Sequence, residues 1–190
     1  MPRPRSRSSS SPKKLSADPS VRLRRAEAGD AAALSLVASA TFLDAFAGIL
    51  DGSDIVAHCA ANNSQLAFDA WFTDPGSVVT LAEAGQGHAP VGYSVLTTPD
   101  LPITTSAADI ELKRIYVLSR LHGSGTGRAL MERALDDARA LGRGRVLLGV
   151  YGENHRARTF YERHGFELAG ERRFLVGKTW HEDVVYARAL

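Results

Sequence analysis

The stretch "RIYVLSRLHGSGTGRALMERAL", Arg114 to Leu135, decides the fold. An apolar, β-branched run ends at Leu118, three glycines follow on alternate positions, and an amphipathic pattern starts at once. Leu130, Met131, Ala134, Leu135, Ala138 and Leu141 recur at helical spacing as far as Gly142. Glycines between a strand and a helix usually let backbone amides close on a phosphate, the plainer alternative being an ordinary glycine-rich turn. The amides of the first helical turn have no intrahelical partner, the helix dipole is positive there, and glycine removes the Cβ that would keep an anion away. A P-loop would end in Gly-Lys-Ser/Thr, but Gly127 is followed by Arg128 and Ala129. A dinucleotide fingerprint would place its third glycine at position 128, which is Arg, and the next strand ends in "GVYGE".

Working outward, "DIELKRIYVL" reads as a long strand before the glycines and "RVLLGVY" as a buried strand after the helix. "NHRARTFYERHG" is a compact helix with Asn154 as N-cap and Gly165 as the residue that ends it. "FELAGERRF" and "DVVYARAL" close the chain as strands. Upstream, "VRLRRAE" alternates as a first strand, and Asp30 is the expected N-cap of "AAALSLVASATFLDAF". Helical segments follow at about Ser53–Asn62 and in "SQLAFDAWF"; "SVVTLAEA" and "APVGYSVLTT" form a hairpin through "GQGH". The order is β, helices, β, β, β, α, β, α, β, β, an α/β arrangement without a repeat.

The remaining glycine pattern is Arg/Gln-x-x-Gly-x-Gly/Ala, filled by Arg120, Gly123 and Gly125. With "GVYGENHRARTFYERHGFE" downstream, the sequence resembles the GCN5-related N-acetyltransferase (GNAT) superfamily over residues 21–190. The resemblance implies a single GNAT-type α/β (α+β) domain, with a mixed, mostly antiparallel sheet of about seven strands, splayed between the fourth and fifth and flanked by helices. It implies acetyl-CoA as co-substrate, with its pyrophosphate on Gly123, Ser124, Gly125, Thr126 and Gly127, and with Arg120 and Arg128 adding charge. The pantetheine arm would lie beside Ile115, Tyr116 and Val117, and the side-chain amide of Asn154 would meet it.

The resemblance also makes Tyr161 the donor to the departing CoA thiolate. Tyr161 lies seven residues after Asn154 on the same helix face, and a phenol of reference pKa about 10 carries its proton at neutral pH. The acceptor amine must be neutral to attack; an amine of pKa about 10.4 costs roughly 4.6 kcal/mol to deprotonate at pH 7, so a base is needed. Glu111, on the strand before the loop, is the candidate base. Cys59 has no triad spacing around it and reads as a small buried hydrophobe. The six histidines lack a ligand-pair spacing, so no metal is expected.

Polycation-like acceptors are suggested by Asp44, Asp51 and Asp54 and by "WHED" from Trp180, and the segments "IELKRIYVL", "ENHRARTFYERHGFE" and "FLVGKTWHEDVVYARAL" are similar to bacterial polyamine acetyltransferases. Lys178 departs from that branch, where an acid is common. The expected activity is transfer of an acetyl group to the primary amine of a small molecule, polyamine-like first and amino acid or aminated drug next. Its alternatives are acetylation of protein lysines or N-termini, and a non-catalytic acyl-CoA-binding module.

With 190 residues, 44% hydrophobic and 23% charged, one compact domain is expected. The net charge is +2, but Arg3, Arg5, Arg7, Lys13 and Lys14 against Asp18 give residues 1–20 a local +4, leaving −2 for residues 21–190. A basic Arg/Ser/Pro tail, expected to be disordered, therefore precedes a slightly acidic body, which argues against a nucleic-acid-binding domain. One cysteine fits a reducing compartment, and no apolar run reaches the roughly 18 residues of a bilayer span; the expectation is a cytoplasmic protein without a membrane segment, assembling as a homodimer as such proteins commonly do.

Overall fold

The computed structural model describes residues 20–176 and 179–190. The basic tail and Lys178 lie outside these residues. β1 (Val21–Arg25) leads through a 3-10 turn (Ala28–Asp30) into α1 (Ala31–Phe46), α2 (Gly52–Asn62) and α3 (Gln65–Thr73). A meander of β2 (Val78–Ala84), β3 (Ala89–Thr97) and β4 (Asp109–Val117) comes next. A second 3-10 turn (Ser119–Leu121) precedes α4 (Thr126–Ala140), β5 (Arg145–Tyr151), α5 (His155–Arg163) and the closing hairpin of β6 (Glu167–Val176) and β7 (Thr179–Ala189).

The seven strands form one sheet in the order β1-β2-β3-β4-β5-β7-β6. Neighbours are antiparallel except β4 and β5, which run parallel and pair only over Asp109–Glu111 with Arg145–Leu147. Beyond Glu111 and Leu147 the two strands part, β4 staying with β3 through Val117 and β5 with β7 through Tyr151. The splay therefore falls between the fourth and fifth strands, where the resemblance placed it. At the joined end Asp109 accepts from Arg145 Nε and Nη2, both at 2.8 Å, which holds its carboxyl well below the usual range, at about 2.

The pleat alternates residues between two cores. Val78 packs with Met131, Ala134 and Leu135 of α4 and with Tyr161 of α5, while Val79 packs with Leu34, Val37 and Ala38 of α1 and Phe68 of α3. The helices thus cover both faces. Leu130 and Met131 are fully buried, and truncating either to alanine costs about 2–5 kcal/mol. Leu141, expected on the same stripe, is instead 37% exposed because the helix ends at Ala140 and the chain turns at Gly142, φ 68°. There Arg143 N donates to Ala138 O and Gly142 N to Arg139 O, the paired bonds of a Schellman cap.

Two expectations about the N-terminal half change. Asp30 precedes α1 but makes no side-chain cap; its carboxylate takes Arg24 Nη1 and Nη2 at 2.6 and 2.7 Å and Glu27 N at 2.9 Å. A guanidinium delivered by β1 outcompetes the helix amides for it, because a charge-assisted fork is stronger than a neutral cap. The helical stretch Ala28–Phe46 also spans 19 residues at mean hydropathy 1.2, long and apolar enough by those measures to cross a membrane. Its inner side is core, since Leu34, Val37 and Ala38 are at most 1% exposed.

Candidate active site

The glycine turn is set by backbone conformation. Gly123 and Gly125 sit at φ 87° and 91°, left-handed values that an L side chain rarely adopts, and Gly125 is the residue before the first turn of α4. Ala129 N donates to Gly125 O at 2.9 Å, which starts the helix. The Ser124 hydroxyl lies 2.8 Å from Thr126 Oγ1 and takes Thr126 N at 3.3 Å. The Gly127 and Arg128 amides belong to that first turn, which lacks intrahelical acceptors and carries the positive end of the α4 dipole. Beside them is an open depression of about 380 Å³, lined by Ser124, Gly125, Thr126 and Arg128 on one side and by Ser20, Val21 and Leu23 on the other. The sequence reading missed β1 as a wall of this site; nothing local marks it, since only the sheet brings it there. Arg120 is exposed, and Arg128 lies 3.5 Å from Glu132, an exposed pair worth little in stability.

The splayed strands make the second part of the site. Ile115, Tyr116 and Val117 lie on the free arm of β4, and a bulge between Val95 and Leu96 resets that arm's register. Ile115 packs toward the α4 side, whereas Tyr116 turns to the α1 side and stacks on Tyr93 at 5.8 Å between ring centroids. His122 closes the arm's end with its Nε2 3.0 Å from Val117 O. Asp44 at the end of α1 accepts from Ser119 N and Oγ, at 2.9 and 3.1 Å, fastening that helix to the approach of the glycine turn.

α5 follows β5, and its Tyr161 belongs to the core cluster that also holds Val150 and against which Ile115 packs. Asn154 Oδ1 accepts from Ala157 N at 3.0 Å, a true N-cap. At the far end Gly165, φ 74°, lets Phe166 N reach Tyr161 O and Gly165 N reach Glu162 O. This Schellman cap carries its usual apolar contact, Phe166 against Tyr161 with ring centroids 6.0 Å apart. Phe160 and Tyr186 flank the same ring at 5.5 and 6.4 Å. Burial raises the Tyr161 hydroxyl above the ordinary phenol range, and Tyr116 across the cleft adds a smaller push in the same direction. The proton is thus held firmly at neutral pH.

Glu111 lies where the two strands begin to part, on the last paired rung with Leu147. It is 2% exposed; Asp100 N donates to Oε2 at 2.8 Å and Lys113 Nζ is 3.3 Å from Oε1. A carboxylate has about four lone-pair sites, so these partners leave acceptor capacity. Arg114 donates to Asn63 Oδ1 at 2.8 Å and Asn62 O at 2.9 Å and stacks over Trp71 at 4.8 Å, tying the end of α2 to the free arm of β4. Arg172 and Asp183 pair at 3.0 Å beside Gly149, where a Cβ would collide with the guanidinium. Asp51 caps α2 through Ser53 N, and Cys59, partly buried, accepts from Asn63 Nδ2 at 3.7 Å. No local pattern marks Arg114, Arg172 or Asp183, because each acts through partners distant along the chain.

A parallel pair opened into a V offers an unpaired strand edge, and the glycine turn sets a helix N-terminus, which favours an anion, at the end of one arm. The family model described as "Acetyltransferase (GNAT) family" matches residues 44–166. An uncharacterized N-acetyltransferase of Mycobacterium tuberculosis is 35% identical over 161 residues, covering 85% of this chain and 98% of that protein. A mycothiol acetyltransferase of Beutenbergia cavernae is 42% identical over 98 residues, 52% of this chain and 30% of that one. Among solved structures, the PaiA N-acetyltransferase of Thermoplasma acidophilum in complex with coenzyme A superposes with a TM-score of 0.74 at 19% identity, over 90% of this chain and 99% of the other. A Salmonella typhimurium acetyltransferase with acetyl-CoA gives 0.62 at 19% identity, over 90% and 94%.

The chain belongs to the GNAT family of acetyltransferases. It is an acetyl-CoA-dependent N-acetyltransferase.

Proposed function

We propose that the protein transfers the acetyl group of acetyl-CoA directly to the primary amine of a small molecule. What supports this reading is that the glycine turn opens α4 just after the free arm of β4, and that Tyr161 belongs to the same core cluster against which Ile115 of that arm packs. In this reading the amides of Gly123 to Arg128 hold the pyrophosphate, with Arg120 and Arg128 at its rim. The backbone of Ile115, Tyr116 and Val117 and the Asn154 amide, whose Oδ1 serves as the cap, lie along the pantetheine arm. Tyr161 gives a proton to the departing thiolate. Glu111 receives the amine proton through water, from the closed end of the cleft.

The acceptor class is a small primary amine with polyamines foremost. Asp44 and Asp51 support it: both are exposed at the junction of α1 and α2, and bonds from Ser119 and Ser53 lower their pKa values and keep them charged. The test is CoA-thiol release from acetyl-CoA against polyamines, amino acids, aminoglycosides and peptides. Saturable acceleration by a small amine is expected. Bound CoA with no acceleration by any of them would leave only the binding-module alternative. Glu111→Gln should displace the rising limb of the pH–rate profile, and an unchanged limb removes Glu111 as the base.

A further inference from the structure

α5 has little apolar burial to hold it in place. Of its nine residues only Tyr161 is buried, with Ala157 and Phe160 partly so, and a helix that short is marginal in water without tertiary support. The support comes from β7. The Tyr186 hydroxyl donates to Glu162 Oε1 at 2.6 Å and accepts from Arg158 Nε at 3.2 Å. Arg158 and Glu162 are four residues apart, so one turn of α5 closes over a single oxygen. Two residues further along the same face of β7, Arg188 Nη1 donates to His164 O at the end of the helix. Arg158 Nη1 also donates to Gly152 O at 2.9 Å, on the turn that leads from β5 into α5.

Tyr186 is the fixed member of this network. It is 2% exposed and sits on β7 opposite Leu148 of β5 and Leu168 of β6. Its ring lies 6.4 Å from that of Tyr161 in the same core cluster. A phenol buried so far needs a partner for its hydroxyl, and the carboxylate of Glu162, an exposed residue, supplies one. Two holds, at the middle of α5 and at its end, fix the rotation of the helix about its axis. We propose that Tyr186 is a positioning residue, whose hydroxyl, through Arg158 and Glu162, sets the turn of α5 from which Tyr161 projects. This rests on the reading of Tyr161 as proton donor to the thiolate. A donor works only within about 2.6–3.2 Å of its acceptor, so a small rotation of α5 costs turnover and not cofactor affinity.

Steady-state kinetics of Tyr186→Phe, alone and in Tyr161→Phe protein, tests this. Phenylalanine keeps the ring and removes the oxygen. kcat should fall about three- to fivefold, within the roughly tenfold expected of Tyr161→Phe, with KM for acetyl-CoA unchanged. In the Tyr161→Phe background the second substitution should lower kcat no further, a non-additivity that a general loss of stability does not produce. Glu162→Ala, at an exposed position, should reproduce part of the loss, and Glu162→Gln, whose amide oxygen still accepts from Tyr186, should recover it. An equal loss of kcat from Tyr186→Phe in both backgrounds overturns the proposal. Turnover lost in Tyr161→Phe but kept in Tyr186→Phe removes this inference alone, whereas unaltered turnover in Tyr161→Phe removes the donor reading and this inference with it.

Discussion

Tyr161 owes its position to residues at either end of a nine-residue helix. Asn154 fixes where α5 begins, Gly165 fixes where it ends, and the cap's apolar contact presses Phe166 onto the tyrosine ring. Asn154 and Gly165 were legible in "NHRARTFYERHG", because caps are local chemistry. Tyr161→Phe removes the proposed proton donor and little of the packing. A thiol resembling cysteine, of pKa about 8.5, is a tolerable leaving group unaided, so kcat should fall only about tenfold, below the usual 10²–10⁴ of acid catalysis, with KM for acetyl-CoA unchanged. Steady-state kinetics decides, and unaltered turnover would end the donor role. His58 supplies a pH signature at the same scale. Burial first, and Arg114 second, lower its pKa from 6.5 to about 4, and its ring stacks on Phe42 at 4.0 Å. Between those values the unfolded chain binds a proton that the folded one refuses, so stability is complete above pH 6.5 and declines as pH falls toward 4. His58→Phe keeps the stack and should flatten that decline in urea titrations across this range.

At the scale of elements, the glycine turn, α4 and α5 could be read from sequence because their signals sit within a few residues of one another. Asp30 could not: its position before α1 is that of a cap, and only the sheet shows that Arg24 lies within reach. β6 and β7 run longer than "FELAGERRF" and "DVVYARAL" suggest, since each strand supplies the other's ladder through Val176 and Thr179. The wall that β1 gives the depression beside the glycine turn was invisible for the same reason. One element-scale prediction concerns Gly165. Alanine there meets no backbone clash, only Arg188 atoms at 3.7 Å or more, but must hold φ 74°, so the cost is conformational, about 1 kcal/mol or somewhat above. Chemical denaturation should show that loss, together with a lower kcat if the cap indeed positions Tyr161. A lower Tm with kcat unmoved would separate helix stability from catalysis.

Over the whole molecule, three paired rungs and the Asp109–Arg145 fork join two half-sheets. The edges of the gap, Leu112–Val117 and Leu148–Tyr151, each keep a partner on the outer side only. A cofactor lying in the gap links the halves, so acetyl-CoA at about a thousand times its Kd should add roughly 4 kcal/mol and raise Tm by roughly 8–16 °C in differential scanning fluorimetry. No shift with acetyl-CoA would contradict occupancy of the cleft. The seam also has a signature in time. Along Arg114–Val117, successive amides point alternately toward β3 and into the gap, as the two-residue repeat of a strand dictates. Hydrogen–deuterium exchange resolved to single residues should therefore show an even-and-odd rhythm, slow toward β3 and fast toward the gap, that acetyl-CoA silences.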